Sequence, residues 1–169
     1  YRRKYGNIER LDRILKAEGD SPDRYKVSKQ ADVDMLFHLL EPGEVKEILE
    51  RLGYGFDADM IRRNVEYYVA RTSHGSTLSK VVYAFVVHHF DPEEGCRLFR
   101  DALRSDIDDV QRGTTPEGIH LGAMAGTVGI VLRRYAGVRM GPDGIMLDPE
   151  LPAAVRRLAF RLHWRGRWL

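Results

Sequence analysis

Cysteine is almost missing: Cys96 stands alone in 169 residues, so no internal disulfide can form. That usage fits a reducing compartment, and a cytoplasmic protein is the expectation. Cys96 follows Glu93, Glu94 and Gly95 in a helical pattern, which suggests a half-buried filler. No apolar run approaches the roughly 18 residues of a membrane-crossing helix, and no signal-peptide pattern opens the chain. Neither sign of charge dominates. Lys and Arg number 27 against 25 Asp and Glu, a net of +2, and the arginines are scattered through helical patterns, so no nucleic-acid surface is indicated. No group of His, Cys and acidic residues has metal-ligand spacing, so no structural zinc is expected; no cofactor is expected either. Walker spacing and a GxSxG elbow are both lacking. No repeated motif supports a solenoid.

What is present is ordinary for a globular chain: 43% apolar and 31% charged residues. Helical spacing of apolar residues predicts helices over 7–16, 31–40, 44–52, 58–69, 78–89 and 91–104, with a short helical turn at 106–110. Asp57 and Asp91-Pro92 supply start signals. Residues 115–135 read as the longest helix. Its internal Gly118, Gly122, Gly126 and Gly129 imply close packing against another element or a ligand, because glycine costs roughly 1 kcal/mol against alanine inside a helix. The period then changes. Residues 138–140 and 145–147 read as strands around the Gly141-Pro142-Asp143-Gly144 turn, and Leu158 to Arg165 alternates as a strand does. Both ends read as cut, the first because Tyr1-Arg2-Arg3 opens without Met.

Three places offer chemistry. The insert Arg71-Thr72-Ser73-His74-Gly75-Ser76-Thr77, followed by Leu78-Ser79, puts hydroxyls and an imidazole before a helix N-terminus, where free N–H groups favour an anion. It carries no carboxylate. The alternative is a connector whose Ser and Thr residues cap a helix. Lys29-Gln30-Ala31-Asp32 offers several donors to a polyol, or a solvated first turn. Glu117 and His120, three apart, would share a helix face, with Glu117 also readable as a first-turn acid.

Taken in order, these motifs resemble glycoside hydrolase family 65, the maltose, trehalose and kojibiose phosphorylase family. The resemblance rests on Lys29-Gln30-Ala31-Asp32-Val33, Tyr67-Tyr68, Arg71 to Ser79, Asp106-Ile107-Asp108-Asp109-Val110-Gln111 and Thr115 to Thr127. It implies a mainly α fold: residues 1–137 as the later part of an (α/α)6 catalytic barrel made of helical hairpins, and 138–169 as a linker and the start of a C-terminal β-sandwich domain. It implies cleavage of an α-linked glucose disaccharide of trehalose, maltose or kojibiose type, with inversion. Inorganic phosphate would be the co-substrate and β-glucose 1-phosphate a product. Lys29 and Gln30 would contact the glucosyl unit, Glu117 and His120 would shape the pocket wall, and Ser73, His74, Gly75, Ser76, Thr77 and Ser79 would bind phosphate. The family's general acid falls before Tyr1, so no residue here is assigned that role and the isolated chain is expected to be inactive. Its partner would be the missing N-terminal part of the same protein, with a homodimer left open. Inverting hydrolysis, which needs a base carboxylate such as Glu66, and a non-catalytic helical module stand as alternatives.

Overall fold

Helix α6, Thr77–Val87, is the centre of the helical part of the chain. Its run Val81 to Val87 is apolar on every face and β-branched enough to read as a strand, but each of its seven residues is buried. A helix that is apolar all round belongs in a core, and each fully buried Val or Phe contributes roughly 1.5–3 kcal/mol. The computed structural model describes residues 1–111 and 113–169. Around α6 the chain supplies α1 (Arg2–Tyr5), α2 (Leu11–Ala17), α3 (Met35–Leu39), α4 (Pro42–Arg51), α5 (Ala58–Val69), α7 (Pro92–Arg104) and α8 (Leu121–Gly129). Helices α3, α5, α7 and α8 all contact α6.

Local chemistry sets the boundaries. The Asp91 carboxylate accepts from the Glu94 N–H at 3.0 Å and Pro92 occupies the first helical position, which starts α7. Pro42 begins α4, just after α3 has ended at Leu39: the Glu41 N–H donates to Glu44 Oε2 at 2.8 Å in a reciprocal cap. Gly126 of α8 is the glycine that close packing requires, since a Cβ there would lie 2.6 Å from Val81 Cγ1. Gly122 and Gly129 face open space instead.

The single helix expected over 115–135 is three pieces. Thr115–Glu117 is one 3-10 turn, α8 follows at Leu121, and Ile130–Tyr135 winds as a π-helix. Gly118 breaks the run with φ +139°, a backbone that favours glycine. The His120 N–H bonds to Asp106 Oδ2 at 3.0 Å and so leaves the helical ladder. The helix expected from residue 31 is regular only from Met35.

Two compact units are present, Tyr1–Ile130 and Val131–Leu169. In the second, β1 (Val138–Met140) pairs antiparallel with β2 (Ile145–Leu147), and β3 (His163–Trp164) with β4 (Arg167–Trp168). The alternation read over 158–165 becomes a strand only at its end. Arg165 and Gly166, both with positive φ, turn the chain, and Leu162 and Leu169 exchange backbone hydrogen bonds. Residues 158–161 have no ladder partner among the described residues. The result is a mostly helical region followed by short antiparallel strands, consistent with part of a helical toroid and the start of a β-sandwich. No helix among the described residues is long and apolar enough to cross a membrane.

Candidate functional site

Two segments far apart in sequence are joined by backbone. Ser28 and Thr72 form a parallel bridge. Around it the Ser28 N–H donates to the Arg71 carbonyl at 3.1 Å, the Ser73 N–H to the Ser28 carbonyl at 2.9 Å, and the Gly75 N–H to the Lys29 carbonyl at 2.8 Å. The Thr72 hydroxyl is the lock beneath. It lies 2.7 Å from the Tyr83 hydroxyl and 3.0 Å from Ser28 Oγ, and donates to the Tyr68 carbonyl at 2.8 Å. The structure therefore brings Lys29 beside the 73–79 loop. Gly75 makes this possible: a Cβ there would sit 2.8 Å from the Glu9 carbonyl oxygen and 2.9 Å from Lys29 Cγ.

The loop then enters α6. Ser76 is the N-cap, its hydroxyl accepting from the Leu78 N–H at 3.3 Å, so the capping reading holds for this residue. Ser73, Thr77 and Ser79 are buried, while His74, Gly75 and Ser76 are half-buried. Two side-chain atoms in this loop are buried with no partner, His74 Nδ1 and Ser79 Oγ. Buried polar atoms without partners are costly and mark places where a missing acceptor or donor belongs. Burial, with the nearby Lys80 and Arg2 charges, lowers the His74 pKa to about 4, so the imidazole is neutral at physiological pH. His74 also sits at φ +59°, with its ring edge-on to Tyr83 at 5.5 Å.

Sequence patterns did not single out Lys80. Its ammonium pairs with Glu9 at 2.9 Å, with both side chains only 12–13% exposed. Asp34 was also missed. It is wholly buried under this region, and neither carboxylate oxygen makes a hydrogen bond of ordinary length. Burial pushes its pKa up to about 6, with Tyr83 acting weakly in the opposite direction. No periodicity distinguishes Asp34 from the first-turn acids around it.

Of the remaining candidates, Gln30 spends its amide on Asp32 Oδ1 at 2.8 Å. Glu117 is exposed on the 3-10 turn, and the helix face it was to share with His120 does not exist. His120 is instead clasped by Asp106, through its N–H and through Nδ1 at 2.5 Å. The carboxylate accepts, so Nδ1 carries the proton and Nε2 is left for other partners. This bond holds the Asp106 pKa below the usual carboxylate range. Asp109 accepts from the Gly113 and Thr115 N–H groups at 2.6 and 3.3 Å. The signal for both acids was the Asp106-Ile107-Asp108-Asp109 run just before the Thr-Pro-Glu-Gly turn. No hydrogen bond among the described residues links Glu117 or His120 to the 28–79 region. Glu66 is exposed on α5. No cluster of three His, Cys, Asp or Glu side chains suited to a metal occurs among the described residues.

Residues 1–129 match the glycosyl hydrolase family 65 central catalytic domain, and 138–169 match the C-terminal domain of the same family. The chain belongs to glycosyl hydrolase family 65. Family relatives include an uncharacterized glycosyl hydrolase of Mycobacterium tuberculosis, 51% identical over all of this chain and 13% of its own length. The trehalose 6-phosphate phosphorylase of Lactococcus lactis is 40% identical over 98% of this chain and 22% of its own length. The kojibiose phosphorylase of Caldanaerobacter subterraneus is 33% identical over 83% of this chain and 17% of its own length. A solved structure from the human microbiome, named as a kojibiose phosphorylase, is 24% identical and matches over 84% of this chain and 18% of its own with a TM-score of 0.62, a likeness in fold. The chain thus spans about a fifth or less of these relatives' lengths.

Proposed function

We propose that this chain forms part of an inverting phosphorylase that cleaves an α-linked glucose disaccharide with inorganic phosphate. One observation carries the reading: the 73–79 loop, joined to Lys29 by backbone, offers donors and no carboxylate. Inverting hydrolysis needs a base carboxylate to activate water. Phosphate brings its own negative charge and needs positioning and hydrogen bonds. The N-terminus of α6, an eleven-residue helix, suits that task, with the unpartnered His74 Nδ1 and Ser79 Oγ buried beneath it.

In this mechanism a phosphate oxygen attacks the anomeric carbon on the face opposite the leaving oxygen. The C1–O bond breaks, the leaving oxygen takes a proton from a general acid outside residues 1–169, and β-glucose 1-phosphate forms with inverted configuration. Ser73, His74, Gly75, Ser76, Thr77 and Ser79 hold the nucleophile. Lys29 and Gln30 hold the glucosyl unit. Glu117 and His120 shape the pocket wall, His120 through its bond to Asp106. We assign residues 1–137 to the later part of the catalytic barrel and 138–169 to the linker and C-terminal β domain of a cytoplasmic enzyme. Ile107, Ile119, Leu121 and Val128 stand 59–80% exposed, which suits a surface covered by further barrel helices of the same protein.

Among substrates, a trehalose-type disaccharide bearing a phosphate is favoured by relatedness. The relative named for trehalose 6-phosphate is 40% identical, whereas those named for trehalose or kojibiose are 28–33% identical. The test is to incubate the full-length protein with trehalose, maltose, kojibiose and trehalose 6-phosphate, with and without phosphate. Glucose 1-phosphate released only with phosphate is expected. Equal glucose release without phosphate establishes hydrolysis instead.

A further inference from the structure

A second cleft lies beside Ser28; its walls are mainly apolar and aromatic side chains, with three cations and no carboxylate among the lining residues. One lobe, of about 260 Å³, includes Arg2, Lys26 and Arg71; the other, of about 210 Å³, includes Lys26, Arg71 and Tyr67. None of Arg2, Lys26 and Arg71 has an ion-pair partner among the described residues. Each of the two arginines is already fixed. The Arg71 guanidinium lies 3.6 Å from the centre of the Tyr67 ring and donates through Nη1 to the Tyr67 carbonyl at 2.9 Å. Arg2 donates through Nη2 to the Thr72 carbonyl at 2.9 Å. Stacked, hydrogen-bonded guanidiniums lose little freedom on binding and keep further N–H groups for an anion.

We infer that this cationic cleft binds the phosphate ester of the sugar substrate, a site distinct from the loop that holds inorganic phosphate. The inference deepens the phosphorylase reading and rests on it for the sugar. Ser28 closes the second lobe, and Lys29, assigned to the glucosyl unit, is the next residue. Lys26 and Lys29 are three residues apart, at most about 11 Å of extended chain. A sugar held at Lys29 therefore keeps a phosphate on its partner ring within reach of Lys26, Arg71 and Arg2. Three cations against a dianion give charge-assisted hydrogen bonds, and the tyrosine rings give the sugar a face to lie on.

The test titrates the full-length protein with glucose 6-phosphate, glucose and inorganic phosphate, and repeats the series with Lys26→Glu. Lys26 is exposed, so this variant keeps the fold, and an unchanged melting temperature verifies it. Glucose 6-phosphate is expected to bind at least about tenfold more tightly than glucose, and Lys26→Glu is expected to abolish that preference. Arg71→Lys, which keeps the charge but loses the fork and the stack, is expected to fall between. Equal binding of the two sugars, or a preference that survives Lys26→Glu, overturns the inference. So does weakening of inorganic phosphate alone, which would make the cleft part of the nucleophile's site. A protein that retains the preference but releases no glucose 1-phosphate from any disaccharide would instead contradict phosphorolysis and leave the anion cleft standing.

Discussion

The two candidate segments of the first unit are held by opposite means. The 73–79 loop spends its backbone on the scaffold, through bonds from Ser73 and Gly75 to Ser28 and Lys29, and leaves His74 Nδ1 and Ser79 Oγ unpartnered. The 113–120 segment is gripped by side chains: Asp109 takes the Gly113 and Thr115 N–H groups and Asp106 takes His120. A loop anchored by backbone keeps its side chains for a ligand. A segment anchored by carboxylates depends on charge and on individual residues. The first arrangement should therefore fail through sterics and the second through loss of a single acid.

The largest effect is expected at Gly75. Gly75→Val puts atoms where the Glu9 carbonyl and Lys29 Cγ now lie, so the loop must part from Lys29. Misplacement of about 1 Å costs roughly a hundredfold in rate. A fall of that size in kcat/KM for phosphate, measured on the full-length protein, is expected; unchanged kinetics would mean the Lys29 contact is dispensable.

Asp106→Ala should come next. It removes two bonds to His120, including a charge-assisted one, each contributing about 1–3 kcal/mol. A loss of about tenfold to a hundredfold in kcat/KM is expected. Asp106→Asn keeps an oxygen to accept from the His120 N–H and should recover part of it. If Asn and Ala behave alike, charge rather than placement is what matters.

Asp34 sharpens the contrast from beneath the backbone-held loop. Its folded-state pKa, about 6, lies above the unfolded carboxyl value. The stability it contributes is therefore complete below about pH 4 and is lost as pH rises through about 6. Asp34→Asn should stabilise the protein at pH 7 by about 1–2 kcal/mol, raising the melting temperature by roughly 2–8 °C, and the gain should fade toward pH 4.5. A destabilised variant at pH 7 would mean the carboxylate is paired.

The smallest effect is a flat line. With its pKa lowered to about 4, His74 stays neutral from pH 5.5 to 8. Its stabilising effect is present above about pH 6.5 and is lost as pH falls toward 4. Histidine-selective NMR of the protein should show one imidazole with no titration near pH 6.5, missing from the His74→Asn spectrum.

The elements that could be read from the sequence were those with dense local signals. Helix α7 had its Asp91 cap and Pro92, and the buried helix α6 was legible through length in spite of its β-branched residues. The break at Gly118 was not legible, because it depends on Asp106 drawing the His120 N–H away from the helix, a contact fourteen residues distant. The strand over 158–165 failed for a related reason: alternation fixes which face a side chain takes, but pairing requires a partner. In the site, the residue types of the 73–79 loop were visible. Its junction with Lys29 through the Ser28–Thr72 bridge, and the buried Asp34 below it, were not, since both arise only when segments more than forty residues apart meet.

The most direct measurement is a crystal of the full-length protein soaked in arsenate, a heavier tetrahedral oxyanion with an anomalous signal. An anomalous peak within hydrogen-bond distance of the Ser76 and Thr77 N–H groups is the expected result. A peak confined to the Lys26–Arg71 cleft, or none beside the loop, would contradict the 73–79 loop as the seat of the nucleophile.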